Sequence, residues 1–549
     1  MKYHLIKLSL LVTLSSSSTA LFSQKVQWEK SYGGKHSDYL MDAKPTPDYG
    51  FILAGSSLSK KTGNKTEGNN GDLDYWIWKM KENGDLDWQK NFGGSGSDFL
   101  QSIALTKDAG YILAGTSSSN KGFNKEADSK GGEDFWIIKL TATGSQEWQK
   151  TIGGSGQDKL QSILQTTDGG YLLSGSSSSE PVEKKTTTTD EKTAKSYGNL
   201  DYWVVKIDSK GKIEWQETYG GLYSDELRSV EQTKDGGYIL GGYSNSPESG
   251  TKTENNKGIG DYWIVKIDKK GIIEWQKTIG GDQDDQLYVV HQTYDKGYVL
   301  GGNSNSQTSN EKSKSNENGT DFWVVKLDDN GKMLWQQTYN FGKVDVLTSL
   351  VENEDHTLLL GGFAQGELTQ KAKGNNQKVA PKMKKGTDDF IALKVSETGE
   401  ELWSTIVGSD GTDILKKVIE TRDGGYLMTG TSNAKASRDK NSAIGQNDFW
   451  VVKLKDEQKP EKVKLNLEAS PNPTQGYTNI VIGYEFDNGT ATVVDLAGRV
   501  LQTFEITSKT VPVDLSSVPE GIYIVNLKTN YQGKETSEGV KIIKGITKN

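Results

Sequence analysis

The chain of 549 residues contains no cysteine, only 10 prolines and only 4 histidines, one of which, His4, falls at the amino terminus. A disulfide framework, a cysteine metal centre and a thiol nucleophile are therefore excluded, and a histidine-rich metal site has too few ligands to form. A basic excess is missing too. The 65 Lys and Arg against 73 Asp and Glu leave a formal net charge of -8, so no positive field draws nucleic acid or an anionic membrane. Hydrophobic residues make up 33% of the chain and mean hydropathy is -0.66. Beyond the amino-terminal segment, no apolar run approaches the roughly 20 residues that span a bilayer. What the chain holds instead is 63 glycines beside 14 tryptophans and 23 tyrosines.

Residues 1–23 read MKYHLIKLSLLVTLSSSSTALFS, with a basic start, an apolar stretch from Leu8 to Leu14 and small residues before Gln24. This is the pattern of a secretory signal peptide, cleaved after Ala20 or Ser23, which would send the chain through the Sec export machinery. An exported chain without cysteine must be held together by ordinary packing.

Three short patterns then recur seven times each. One carries a tryptophan and a glycine turn, as in WQETYGG, at Trp28, Trp88, Trp148, Trp215, Trp275, Trp335 and Trp403. Another runs from a glycine turn into an apolar segment, as in DGGYILGG, ending at Gly55, Gly115, Gly175, Gly242, Gly302, Gly362 and Gly430. The last, as in DYWIVK, begins at Asp74, Asp134, Asp201, Asp261, Asp321, Asp389 and Asp448. Successive tryptophans of the first pattern are 60, 60, 67, 60, 60 and 68 residues apart, and the additions fall in the loop between the second and third patterns. Runs of β-branched and aromatic residues between Gly and Asp turns predict four strands per unit. In the fourth unit these start near Asp225, Gly236, Asp261 and Ile272. Four antiparallel strands repeated seven times predict an all-β, seven-bladed β-propeller over residues 24–455. The array begins with a Trp strand and ends without one, so the amino-terminal strand is expected to complete the last blade and remove the open edges.

The turn DxxGxxxW, as in Asp208, Gly211 and Trp215, resembles the Asp-box turn and the tryptophan-docking motif of quinone-dependent dehydrogenase propellers. Only the turn matches. A sevenfold recurrence suits packing rather than one prosthetic group, so no cofactor is expected. An Asp also opens each expected inner strand: Asp38, Asp98, Asp158, Asp225, Asp285, Asp345 and Asp413. Turn capping is the favoured reading over an axial cation site, since no DxDxDG loop occurs and no metal is expected. The long polar loops, such as Ser176 to Asn199, read as solvated chain. On their face the nonrepeating residues His36, Tyr223, Asp282 and Asp284 are the ligand-binding candidates. Unit six departs most from the repeat, with Ile391 for Trp, His356 and Thr357 for the glycines, and Asn340 and Phe341 in the turn.

After Leu454 the repeat stops at a charged segment, residues 456–464, and from about Leu465 new short strands predict a small antiparallel β-sandwich over 465–549. SPNPTQG (Pro471, Asn472, Pro473, Gly476), DLAGRVL (Asp495, Gly498, Arg499), VPEGIYIVNL (Gly521, Tyr523) and KIIK (Lys541, Lys544) together resemble the type A carboxy-terminal sorting domain of the type IX secretion system. GITKN after Lys544 departs from that pattern. The resemblance implies transit of the periplasm, recognition by type IX machinery at the outer membrane, then removal of the domain with release or glycolipid attachment at the surface.

The expected protein is a monomeric, noncatalytic propeller that binds glycan or protein at or outside the cell surface. The alternative is a secreted hydrolase resembling a glycoside hydrolase, with two carboxylates in the axial mouth. Catalysis requires asymmetry, whereas each Asp near that mouth has six counterparts, and no catalytic residue is assigned. His36, His291 and His356 sit in no nucleophile motif.

Overall fold

The computed structural model describes residues 24–182, 190–316, 319–366, 387–457, 459 and 465–545. The expected leader, residues 1–23, and most of the expected linker lie outside them. The repeats fold as seven four-stranded antiparallel sheets. In blade four, Asp225–Gln232, Tyr238–Ser244, Asp261–Ile267 and Ile273–Ile279 pair in chain order. The first strands, opened by Asp38, Asp98, Asp158, Asp225, Asp285, Asp345 and Asp413, touch one another in a closed cycle in which blade one meets blade seven. They therefore surround the axis, and the Trp-bearing fourth strands form the rim. Blade seven takes its fourth strand from the far end of the chain, Lys25–Tyr32 pairing antiparallel with Asp448–Lys455. The closure is sealed by the indole of Trp450, which donates to Glu29 at 2.7 Å.

The second and third strands are buried because each blade is covered by its neighbours on both sides, which is why they read as near-continuous apolar runs. Aromatic pairs bind blade to blade. Tyr202 of blade three lies 4.7 Å from Trp263 of blade four, and its hydroxyl donates to the Trp263 carbonyl at 3.1 Å. The Trp263 indole N–H donates to Gln276 at 3.1 Å. Equivalent pairs are Tyr75 with Trp136, Phe135 with Trp203, Tyr262 with Trp323, Phe390 with Trp450, and Phe449 with Trp76 across the closure. Between blades five and six the indole is replaced by Ile391, and there Phe322 meets Phe341 edge-on at 5.5 Å. The altered turn of unit six thus supplies an aromatic partner where the tryptophan is missing.

On the rim of blades two to six, the turn glycine between third and fourth strands seats the tryptophan of the preceding blade. A Cβ on Gly144, Gly271 or Gly399 would come within 2.9–3.1 Å of Trp88, Trp215 or Trp335. These glycines hold φ of +78°, +86° and +81°, so both the space and the left-handed backbone require glycine.

The carboxy-terminal strands form two antiparallel sheets. Leu467–Ser470, Tyr477–Ile482 and Thr510–Asp514 face Asn488–Asp495, Val500–Ile506, Gly521–Tyr531 and Lys534–Lys544 across a core containing Ile480, Val493, Val513, Val525 and Ile542. Where the chain leaves blade seven, buried Asp456 accepts from the Tyr426 hydroxyl at 3.2 Å and faces Lys394 at 3.6 Å.

Candidate functional site

The glycine turns between blades and the long loops share one face, here called the upper face. The residue before a first-strand Asp bridges in parallel to the residue before the preceding blade's third-strand Asp, as Ser37 to Asn447, Leu200 to Ser224 and Gly260 to Asp284. The first-strand carboxylates serve this turn. Asp38, Asp98, Asp158, Asp225 and Asp285 each accept a glycine N–H at 2.7 Å, from Gly34, Gly94, Gly154, Gly221 and Gly281. Each also accepts a hydroxyl from Ser59, Ser119, Ser179, Ser246 or Ser306 at 2.9–3.1 Å. They are fully buried and act as turn clamps, in keeping with the capping expectation.

The loops hold a feature that composition hid. Lys65, Lys125, Lys192, Lys252, Lys312 and Lys440 are at most 2% exposed. Each stands nine residues before a third-strand Asp, or eight for Lys440, and lies between the first- and third-strand carboxylates of its own blade. Lys252 feels Asp225 and Asp261, and Lys440 Nζ is 3.6 Å from Asp448. Lys65 Nζ also donates to the Ser59 carbonyl, Asn69 and Asn91 at 2.6–2.9 Å. Burial, against these carboxylates, lowers Lys65 and Lys252 to about 8. Burial likewise pushes Asp201 and Asp261 up to about 6. The loops are therefore anchored by a charge triad rather than simply solvated. In unit six the ninth residue before Asp389 is Ala380, outside the described residues. Asp389 is held instead by Arg438 of blade seven, whose Nη1 donates to both carboxylate oxygens at 2.9 and 3.0 Å.

The four candidates selected from the sequence all lie on the upper face but are spread over three turns. His36 is exposed between blades seven and one, Tyr223 is 49% exposed between blades three and four, and Asp282 and Asp284 follow between blades four and five. Asp282 accepts the Gln307 N–H at 3.0 Å and Asp284 accepts Gln286 at 2.7 Å. Among the described residues, no hydrogen bond or ion pair joins His36 to the other three. More conspicuous is an apolar set on the same face that the sequence reading did not select. Tyr39 and Phe99, the second residues of neighbouring inner strands, are 38% and 42% exposed beside the axial mouth. Leu222, Ile259 and Phe123 are 52%, 62% and 70% exposed on the turns and loops.

Below that mouth every inner strand bulges. Register with the second strand breaks between Leu40 and Asp42, and at the matching point in all seven blades. The skipped residues are Met41, Gln101, Gln161, Arg228, Tyr288, Thr348 and Lys416. A bulge re-aims its side chain, and these half-buried residues form one layer around the axis. Arg228 pairs with Glu226 and lies 5.5 Å over the Tyr288 ring. Just below, Lys417 faces Asp42 at 3.8 Å. Toward the lower mouth His291 sits between Glu231 at 2.9 Å and Glu352 at 3.5 Å. Burial alone would lower His291, but its bonds to the two carboxylates outweigh this and raise it to about 9. Away from the axis, a rim groove of about 490 Å³ is lined by Trp275, Lys277, Glu311 and Met333, with Glu311 its one carboxylate.

In the sandwich, the sorting-motif residues are tied into turns and edges. Asn472, between Pro471 and Pro473, donates to the Lys541 carbonyl at 2.8 Å and accepts the Ile543 N–H at 2.9 Å. Asp495 accepts the Arg499 N–H and Nε at 2.9 and 3.0 Å around Gly498. Lys544 donates to the carbonyls of Leu515 and Val518, Gly476 accepts the Leu515 N–H, and Tyr523 donates to Pro519 just ahead of Gly521.

Residues 469–544 match the family described as secretion system C-terminal sorting domain, so the chain carries a type IX sorting domain and is directed out of the cell. No curated protein matches the sequence. Solved structures similar to the chain include the Pan2 WD40 domain of Neurospora crassa, at 11% identity and TM-score 0.30, covering 66% of this chain and 90% of that one. A glucose dehydrogenase is similar at 11% identity and TM-score 0.32, covering 77% and 99%. Synechocystis apocarotenoid oxygenase is similar at 13% identity and TM-score 0.36, covering 79% and 95%.

Proposed function

We propose that residues 24–455 form a noncatalytic binding propeller for glycan or protein, delivered to the outer surface or the medium. On this reading, the leader of residues 1–23 takes the chain into the periplasm, and type IX machinery then removes the carboxy-terminal domain, releasing the propeller or attaching it to surface glycolipid. The observation that carries the binding role is the division of labour on the upper face. Its repeated acids are buried in turn clamps and Lys triads. Its exposed nonrepeated side chains include Tyr39, Phe99, Leu222 and Tyr223. Flat aromatic side chains stack on sugar faces or fill protein pockets at little entropic cost. A hydrolase would need two free nonrepeated carboxylates across one cleft, and Asp282 and Asp284 are each engaged by a neighbour.

The test uses the chain from Gln24 onward on a panel of glycans and peptides, with retention and product release read together. Retention without products is expected. Product release abolished by neutralising one carboxylate pair would overturn the reading.

A further inference from the structure

Along the inner strands the first and third positions are constant, whereas the second, at the mouth, and the fourth, at the bulge, change from blade to blade. Each opens with Asp, and each has Leu two residues later. The next residue, the bulge, is Met, Gln, Gln, Arg, Tyr, Thr or Lys. Packing that holds a ring together should look alike in every blade. The bulge layer instead differs in nearly every blade, and its side chains stay half-buried.

Of the two cations in this layer, Arg228 is paired with Glu226 and Lys416 is uncompensated. Lys416 of blade seven has no hydrogen bond or ion pair among the described residues, and burial together with the cations Lys417 and Arg228 lowers it. Blade four lies about as far from blade seven as a seven-membered ring allows, which sets the Arg228 and Lys416 bulges on opposite sides of the lumen. Arg228 has one partner, Glu226, and Lys417 only a distant one in Asp42. Around these cations the layer adds the amides of Gln101 and Gln161 and the hydroxyls of Tyr288 and Thr348. A buried cation is retained at a cost unless an anion meets it. A planar carboxylate suits the guanidinium fork, with an ammonium as a point charge opposite.

We infer that the bulge layer of the axial channel is a subsite for a carboxylate-bearing sugar, a uronate end inserted from the upper mouth. Its carboxylate sits between Lys416 and Arg228, its hydroxyls meet Gln101, Gln161 and Thr348, and its ring passes Tyr39 and Phe99 at the rim. This rests on the binding reading above and narrows it. The aromatic mouth and neutral hydrogen-bonding groups favour a sugar over an acidic peptide, which would want further cations along its backbone path.

The test is calorimetry on the chain from Gln24 onward with three probes: an oligosaccharide ending in a uronate, the same oligosaccharide ending in the neutral hexose, and an oligoglutamate peptide. The uronate end is expected to bind at least tenfold tighter than the neutral end. Lys416→Met and Lys416→Gln should both remove that preference, Lys416→Arg should keep it, and none should lower the melting temperature, since Lys416 supports no neighbour. Equal affinity for charged and neutral ends, no uronate binding, or an unchanged preference in both neutral variants overturns the subsite. Equal binding of the peptide overturns its assignment to a sugar. Retention of the neutral oligosaccharide alone would sink the subsite and leave the binding propeller standing, whereas turnover would sink the propeller reading itself.

Discussion

Replacing Trp263 by alanine tests the interblade seam. The indole is fully buried, stacks 4.7 Å from Tyr202 and donates to Gln276 at 3.1 Å. Truncating a buried tryptophan costs about 3–5 kcal/mol. Losing an aromatic pair worth about 1 kcal/mol places this site in the upper part of that range, about 4–5 kcal/mol, while the Gln276 oxygen keeps the Thr253 N–H at 3.2 Å. Trp263→Ile should cost less, about 2–3 kcal/mol, because Ile391 already occupies that position in blade six with Phe341 packed alongside. Trp335, half-exposed on the rim with its N–H on the Glu397 carbonyl, should cost about 2 kcal/mol as alanine. Every tryptophan lies between Trp28 and Trp450, so urea unfolding followed by tryptophan fluorescence reports the propeller without the sandwich. Equal losses at Trp263 and Trp335, or a loss below about 1 kcal/mol at Trp263, would refute the seam as the source of stability.

Arg438→Ala strands the buried Asp389 carboxylate and should destabilise by about 3–5 kcal/mol, with Asp389→Asn restoring most of the loss; no recovery in the double variant would contradict the pairing. The pH dependence follows from Asp201, Asp261 and Asp389, which burial raises to about 6. Their folded forms bind protons more tightly than the unfolded chain, whose aspartates titrate near about 3.9, so stability rises as pH falls from 6.5 to 5. Asp261→Asn should flatten that rise, and a melting temperature that fell across this window would count against the triads. Deleting Lys25–Tyr32 removes the strand that pairs with Asp448–Lys455 and should abolish the cooperative fluorescence transition; an unchanged transition would mean that the ring does not depend on this closure.

The sequence carried the blade because its signals are local. Alternating apolar segments, glycine turns and the two tryptophan positions mark strands such as Asp261–Ile267 directly, and the missing seventh outer strand after Leu454 pointed to the amino terminus. The buried lysines were less legible. Lys252 and its equivalents sit among Ser, Thr, Asn and Glu, a composition that reads as solvated loop, and only their fixed spacing to Asp261 and its equivalents betrays them. The bulges left no trace in composition. Arg228 and Lys416 look like ordinary alternation along a strand until the register with Gly242 and Gly430 is known. Tyr39 and Phe99 likewise become a surface only when the ring sets neighbouring inner strands side by side.

On the proposed reading, the upper face around the axial mouth binds a ligand. The most direct measurement of that binding is retention on a glycan and protein array by the chain from Gln24 onward, compared with the variant carrying Tyr39→Ala and Phe99→Ala. The account predicts that at least one ligand is held and that the double variant loses tenfold or more of that affinity with its melting temperature unchanged. Undiminished retention by the double variant would contradict it.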